Sequence, residues 1–247
     1  MKAAFQVSLG LLLLWNIAPA RADERDDQVR GILVASGKQE EYAAVRAAFV
    51  AKAREAVLAS FRAERDSPVA VEIADRTTAK IGKMVEEKLW GWPVMEPLLI
   101  AGFKETYTAE EIALMARFLD SDAGKEYAKA FTVVTNRLLA QTVKEGKLPA
   151  STSWAAMNKE IMAICRQNSA DGSKVEEIQA RLSSPEWRAI DDKRMLFALM
   201  MQQAAPERFD GLEQTMERLR RETIAEVQAE IEKDPSRINS LGKGGSR

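Results

Sequence analysis

The sequence has no histidine and a single cysteine, Cys165, in 247 residues. The missing histidine removes the commonest general base, the commonest transition-metal ligand and the side chain whose charge switches near neutral pH. One thiol cannot form an intrachain disulfide, so ordinary packing must hold the fold in any redox compartment. Cys165 lies in the apolar stretch Ile161-Met162-Ala163-Ile164-Cys165, where a small buried hydrophobe is the expected role. Glycine and proline are scarce, at 13 and 8 residues, which favours long helices over turn-rich β structure. Charge of one sign is not concentrated anywhere. The formal net charge is −1 with both signs interleaved, so no basic stripe marks a phosphate backbone, and nucleic acid is not an expected partner.

What is present is the balance of a helix-rich globular protein, 46% hydrophobic and 30% charged, long enough to bury a core of its own. The N-terminus reads differently. Lys2 precedes an apolar run from Val7 to Ile17 that includes Leu11-Leu12-Leu13-Leu14-Trp15, and Pro19 then breaks it ahead of Ala20-Arg21-Ala22. This is the pattern of a cleavable secretory signal over residues 1–22, and the run is shorter than the roughly 20 residues a membrane span requires. The expected mature chain starts at Asp23 in the periplasm, with no transmembrane segment.

Beyond the signal the sequence predicts an all-α fold, a multi-helix array in two halves. Val29, Ile32 and Leu33 form an apolar face that Gly37 ends. Tyr42, Val45, Phe49, Ala53, Ala56 and Ser60 mark one stripe of a longer helix. Ser67-Pro68 opens another, with a face through Val69, Ile73, Thr77, Ile81, Met84 and the stem of Lys88. Trp90-Gly91-Trp92-Pro93 breaks it. Thr108-Ala109-Glu110-Glu111 is a capping box starting a helix with Ile112, Met115, Phe118 and Leu119 inward. After Asp120-Ser121-Asp122-Ala123-Gly124, the residues Tyr127, Phe131, Val134 and Leu138 recur at helical spacing. The helical domain is expected over 23–146, and Leu148 to Ser153 reads as a hinge into a C-terminal helical region, 147–233. There Trp154, Met157, Ile161 and Ile164 share a face, and Ser173 to Glu176 has the capping-box spacing. Ser184-Pro185 starts a helix whose Met195 to Met201 run is apolar on every side, the pattern of a buried central helix. Phe209, Leu212, Met216, Leu219, Thr223, Val227 and Ile231 trace a last amphipathic helix, with a tail over 234–247.

Two stretches carry a family likeness. Val29-Arg30-Gly31-Ile32-Leu33 with Ala35-Ser36-Gly37-Lys38-Gln39-Glu40, and Tyr107 to Ile112 running on to Phe118-Leu119-Asp120-Ser121-Asp122-Ala123-Gly124-Lys125, resemble the bacterial family called domain of unknown function 2059. Phe118, Ser121, Gly124 and Lys125 match its second motif, while Leu119 stands where that motif has tyrosine and Asp122 where it has proline. The likeness covers roughly Val29 to Val143. It implies an exported helical protein of Gram-negative bacteria and brings no catalytic residues.

The spacing of the acidic residues does not match the known site patterns. From Asp120, a calcium loop would place Lys125 sixth and Phe131 twelfth, where glycine and a bidentate Glu are needed. Asp171-Gly172 fails the same test, with Gln167 first and Ile178 last. Asp191-Asp192 near Trp187 suggests paired carboxylates beside a sugar-stacking ring, but adjacent residues on a helix do not face each other. The nucleophile elbow, the phosphate loop and the dinucleotide turn are absent from the sequence. No catalytic, metal or cofactor residue is assigned. The candidates for partner binding are Trp90 and Trp92 at the helix break, and Phe118, Ser121 and Gly124 in the shared motif. The expected function is a non-enzymatic binding, scaffold or chaperone-like role toward a protein or envelope component, with a carboxylate-dependent envelope hydrolase as the alternative. N-terminal sequencing of the exported protein should read from Asp23; a mature form that keeps Leu11 to Trp15 would overturn the cleaved-signal expectation.

Overall fold

The computed structural model describes residues 24–145, 154–168, 172–203 and 210–236, and every regular element among them is helical. In chain order these are α1 (Glu24–Ala35), α2 (Lys38–Ser60), a 3₁₀ turn (Arg62–Glu64), α3 (Pro68–Val85), a π turn (Glu86–Trp90), α4 (Trp92–Thr106) and α5 (Ala109–Asp120). They continue as α6 (Asp122–Glu145), α7 (Trp154–Asn168), α8 (Gly172–Ser183), α9 (Pro185–Gln203) and α10 (Leu212–Lys233). The expected signal segment, the hinge at 148–153 and most of the tail lie outside the described residues. No described helix is long and apolar enough to cross a membrane.

The capping residues act as their chemistry dictates. Ser67 accepts from the Ala70 amide at 3.2 Å, with Pro68 in the first turn. Thr108 accepts from the Glu111 amide at 3.3 Å while the Glu111 carboxylate takes the Thr108 amide at 2.8 Å, so both orphan donors are satisfied. Ser184 accepts from the Trp187 amide. Ser173 differs from expectation: α8 begins at Gly172, which puts Ser173 inside the first turn rather than at the cap.

Packing sorts the helices into two main clusters. The larger draws Val29 and Leu33 from α1, Leu99 from α4, Ile112 and Phe118 from α5, Tyr127 and Val134 from α6, Ile161 and Cys165 from α7, Ile178 from α8, and Trp187 and Ile190 from α9. Each such side chain contributes on the order of 1.5–3 kcal/mol of burial. The smaller joins Ala53 of α2, Ile81 and Val85 of α3 and Leu89 of the π turn, with Leu212, Met216 and Leu219 of α10 against it. The two stretches either side of residues 146–153 interlock: α7 lies along α6, α9 packs on α4, and α10 returns to α3.

Three helical faces differ from the sequence reading. At the end of α2 the buried positions are Val57 and Leu58, while Ala56 and Ser60 face solvent, because the larger aliphatics take the inward places. After α3, Leu89 is buried and Lys88 exposed, which keeps the ammonium in water. The Met195 to Met201 run is not a central helix. Leu196 is 52% exposed, and α9 rests one face on α4, where Phe197 approaches Phe103 at 4.8 Å and Gly102 leaves room for Phe197 and Met201. An apolar run reads as buried on all sides, yet this end of α9 turns Phe197 toward α4 and leaves Leu196 to solvent. Leu196→Gln should therefore change stability by less than about 0.5 kcal/mol, and Phe197→Ala should cost about 3 kcal/mol. Urea titration of the two variants separates these outcomes; equal losses would restore the buried-helix reading.

Candidate functional site

Three of the five sequence candidates meet at the corner between α5 and α6. The Ser121 hydroxyl donates to the Phe118 carbonyl at 2.7 Å and accepts from the Gly124 amide at 3.0 Å, so one side chain closes α5 and opens α6. A Cβ on Gly124 would stand 1.7 Å from the Phe118 carbonyl oxygen, closer than any real contact, so glycine is demanded by the approach of two backbones. Phe118, 4% exposed, meets Trp187 edge to face at 5.0 Å and Tyr127 at 5.8 Å. The corner is a built joint.

Trp90 and Trp92 lie elsewhere. Trp90 is half-buried, meets Phe49 edge to face at 5.1 Å and touches both clusters; Trp92, in the first turn of α4, packs half-buried against the larger cluster. The structure therefore does not gather the five candidates into one place, and packing accounts for each of them.

A different group converges on the outer end of the same aromatic run. From Tyr127 the rings continue through Phe131 to Trp154, each step 6.4 Å. Trp154 is half-exposed, and the Arg194 guanidinium lies 3.3 Å over its ring. Arg194 also donates to Asp191 at 2.7 Å, and the Trp154 indole N–H donates to the other oxygen of that carboxylate at 3.4 Å. The Tyr127 hydroxyl donates to the Asn158 side-chain oxygen at 3.3 Å. One step along α9, the Lys193 ammonium bridges both Glu111 oxygens at 2.7 Å. The node thus ties α5, α7 and α9 together through charge-assisted bonds at the rim of an apolar core, and α6 joins it through the neutral Tyr127 to Asn158 bond.

Sequence reading missed this node because it weighed Asp191 against its neighbour Asp192. The informative spacing was Trp187, Ile190, Asp191, Arg194, Phe197 and Met201, which places a salt-bridged pair inside α9's inward apolar stripe. In the structure Asp191 is half-buried and Asp192 exposed, and the two do not act as a pair. Asp120 and Asp122 are likewise exposed. Among the described residues there is no group of three or more Cys, Asp and Glu side chains arranged to hold a metal ion.

Burial tunes the remaining acids. The Cys165 thiol is 1% exposed and is pushed up, first by that burial and then by the Glu126 carboxylate, which suits a packing role better than a nucleophilic one. The Trp187 indole nitrogen is buried in the larger cluster without a hydrogen-bond partner. Burial also raises the phenols of Tyr107 and Tyr127, the latter to about 12, with Arg194 opposing the rise in both.

Compared with models of protein families, with curated proteins and with solved structures, the chain matches none.

The raised phenol of Tyr127 fixes a sign. Above the ordinary value near 10 the unfolded chain releases this proton while the folded chain keeps it, so stability falls as pH rises from about 10 to about 12. The loss should reach on the order of 3 kcal/mol. Tyrosinate absorbance should show a phenol ionising at about 12 that Tyr127→Phe removes, and the same change should flatten the alkaline decline. A Tyr127 that ionises at the ordinary phenol value of about 10 would contradict the burial argument.

Proposed function

We propose that this chain acts by contact, as a non-enzymatic binding, scaffold or chaperone-like factor of the cell envelope, exported to the periplasm and related to the domain of unknown function 2059 family that it resembles. The observation that carries the reading is the state of Asp191. A carboxylate-dependent hydrolase of glycan needs two acids flanking the scissile bond, one free to hold a proton and one free to attack or to activate water. Asp191 is the carboxylate beside the half-exposed ring, and both of its oxygens are engaged, by Arg194 and by the Trp154 indole. The next acid along, Glu111, is bound by Lys193 and by the Thr108 amide. These pairings favour a role in holding helices together over a role in proton transfer.

The same arrangement supplies surface for a partner. Trp154 with Arg194 stacked on it, and Trp92 at the start of α4, are among the large rings that reach solvent in part, and tryptophan and arginine are residue types that anchor protein interfaces. The exported protein, used as bait in envelope extracts, should recover a partner that Trp92→Ala or Arg194→Ala loses while the helical spectrum is kept. Asp191→Asn, Asp120→Asn and Asp122→Asn should leave any glycan hydrolysis of the preparation unchanged. If one of those carboxylate changes abolished a measurable hydrolysis with folding and partner recovery intact, the hydrolase reading would take its place.

A further inference from the structure

The attachment of α10 differs from that of every helix in the larger cluster, to which it gives no residue. Its apolar contribution is a strip of half-buried Leu212, Met216 and Leu219 against Ala53, Ile81, Val85 and Leu89, followed by the buried Thr223 and Val227. Along the rim two ion pairs repeat at one-turn spacing. Arg76 of α3 donates to Glu230 at 2.9 Å, and Lys80, one turn on, donates to Glu226 at 2.8 Å. Arg76 is also held by Glu72 at 2.6 Å, and its guanidinium is pushed above its usual range by Glu230 first and Glu72 second.

On α10 the Arg220 Nε is buried without a hydrogen-bond partner, from an arginine that reaches over the Phe61 ring. Such an orphan weakens the attachment of the helix that carries it. The helix also has the means to persist when detached. Glu217 to Arg221 and Arg218 to Glu222 are i,i+4 pairs within α10 that support it as an isolated helix. Gly211, immediately before it, has φ 69°, a left-handed conformation in which glycine is unstrained, and a Cβ there would meet nothing closer than 4.0 Å.

We propose that α10 is an internal occupant of a helix-binding groove. The α2, α3 and π-turn surface beneath it takes up an amphipathic helix of another protein when α10 lets go. Charge complementarity defines that partner: an apolar stripe at helical spacing, flanked on one side by two carboxylates a turn apart that meet Arg76 and Lys80. Residues whose burial holds the larger cluster together are not disturbed by the exchange, so the rest of the molecule stays folded while the groove opens. This deepens the contact reading and rests on it in one respect, that the natural occupant is a protein.

The test uses the full chain and a labelled synthetic peptide of residues 212–233 as the probe. Polarisation should show weak uptake by the unsubstituted chain. Glu226→Lys with Glu230→Lys in the chain weakens its own α10 and should raise peptide affinity about tenfold, the size expected from two half-exposed ion pairs. The peptide carrying the same two changes should lose most of its affinity and recover it on a chain with Arg76→Glu and Lys80→Glu. Lys80→Cys with Glu226→Cys, oxidised, ties α10 down and should abolish uptake. No gain from the glutamate changes, or uptake that persists in the cross-linked chain, would overturn the groove. A folding defect of the charge variants would raise uptake of the unsubstituted and the charge-changed peptide alike, whereas the groove predicts that the charge-changed peptide binds only the Arg76→Glu, Lys80→Glu chain well. Peptide exchange as described, with no envelope protein recovered by the chain, would remove the contact reading and leave the groove standing; recovery unaffected by the cross-link would do the reverse.

Discussion

The contact on which the rest of the structure depends is the meeting of Phe118, Tyr127 and Trp187, three rings from α5, α6 and α9 within 6 Å of their common member Phe118. A chain with one cysteine has no covalent staple, so stretches distant in sequence must be joined by buried area, and large aromatic rings supply most area per side chain. The joint works because the corner beside it is tight. Ser121 satisfies groups on both helix ends, and Gly124 lets two backbones approach where a Cβ would collide. Without that turn, α5 could not present Phe118 to Tyr127 only nine positions on. The family-like motif is thereby explained as architecture: its phenylalanine, serine and glycine are the ring, the cap and the clearance of one joint.

Much of this was legible because the signals are local. The Thr108 box, Ser67 with Pro68, Ser184 with Pro185 and the left-handed Gly37 all follow from hydrogen-bonding groups and dihedral freedom within four residues. The faces of α3 and α5 were legible for the same reason, since a 3.6-residue period needs only the helix itself. What could not be read was which helices lie outside. Met195 to Met201 is apolar around the whole circumference, and its period carries no direction; the neighbours of α9 decide that Phe197 faces α4 and Leu196 faces water. The polar node failed for a related reason. Asp191 gains its meaning from Trp154, 37 positions away, and no spacing rule within one helix reports that distance.

Stability should be unevenly spread as a result. The larger cluster is a continuous apolar body built from α1 and from α4 to α9, in which Val29, Leu33, Ile112, Ile161 and Ile178 are almost wholly removed from water. Opening any of its helices uncovers several such side chains at once, so it should behave as one cooperative unit. The α2, α3 and α10 group has a smaller buried set and relies on half-exposed charges to complete its seam. Motion that uncovers surface without global unfolding belongs to the second group on these grounds, whatever it serves.

Charge fills the role that histidine and disulfides play in other chains. Ion pairs recur where helices from different parts of the sequence meet: Lys104 with Asp26 between α4 and α1, Lys193 with Glu111 between α9 and α5, Arg137 with Glu160 between α6 and α7, and the two pairs of α3 with α10. Exposed or half-exposed pairs of this kind add little net stability, commonly under about 1 kcal/mol each. Their larger effect is on register, because a helix that slides by a turn against its neighbour must abandon a paired charge. At the larger cluster this is redundant, since interlocked rings already forbid sliding. At the α3 and α10 seam the apolar strip is thin and the pairs repeat with the helical period, so charge sets the register there. Salt should accordingly loosen that seam before it affects the main core, because screening acts on the pairs and leaves apolar burial in place.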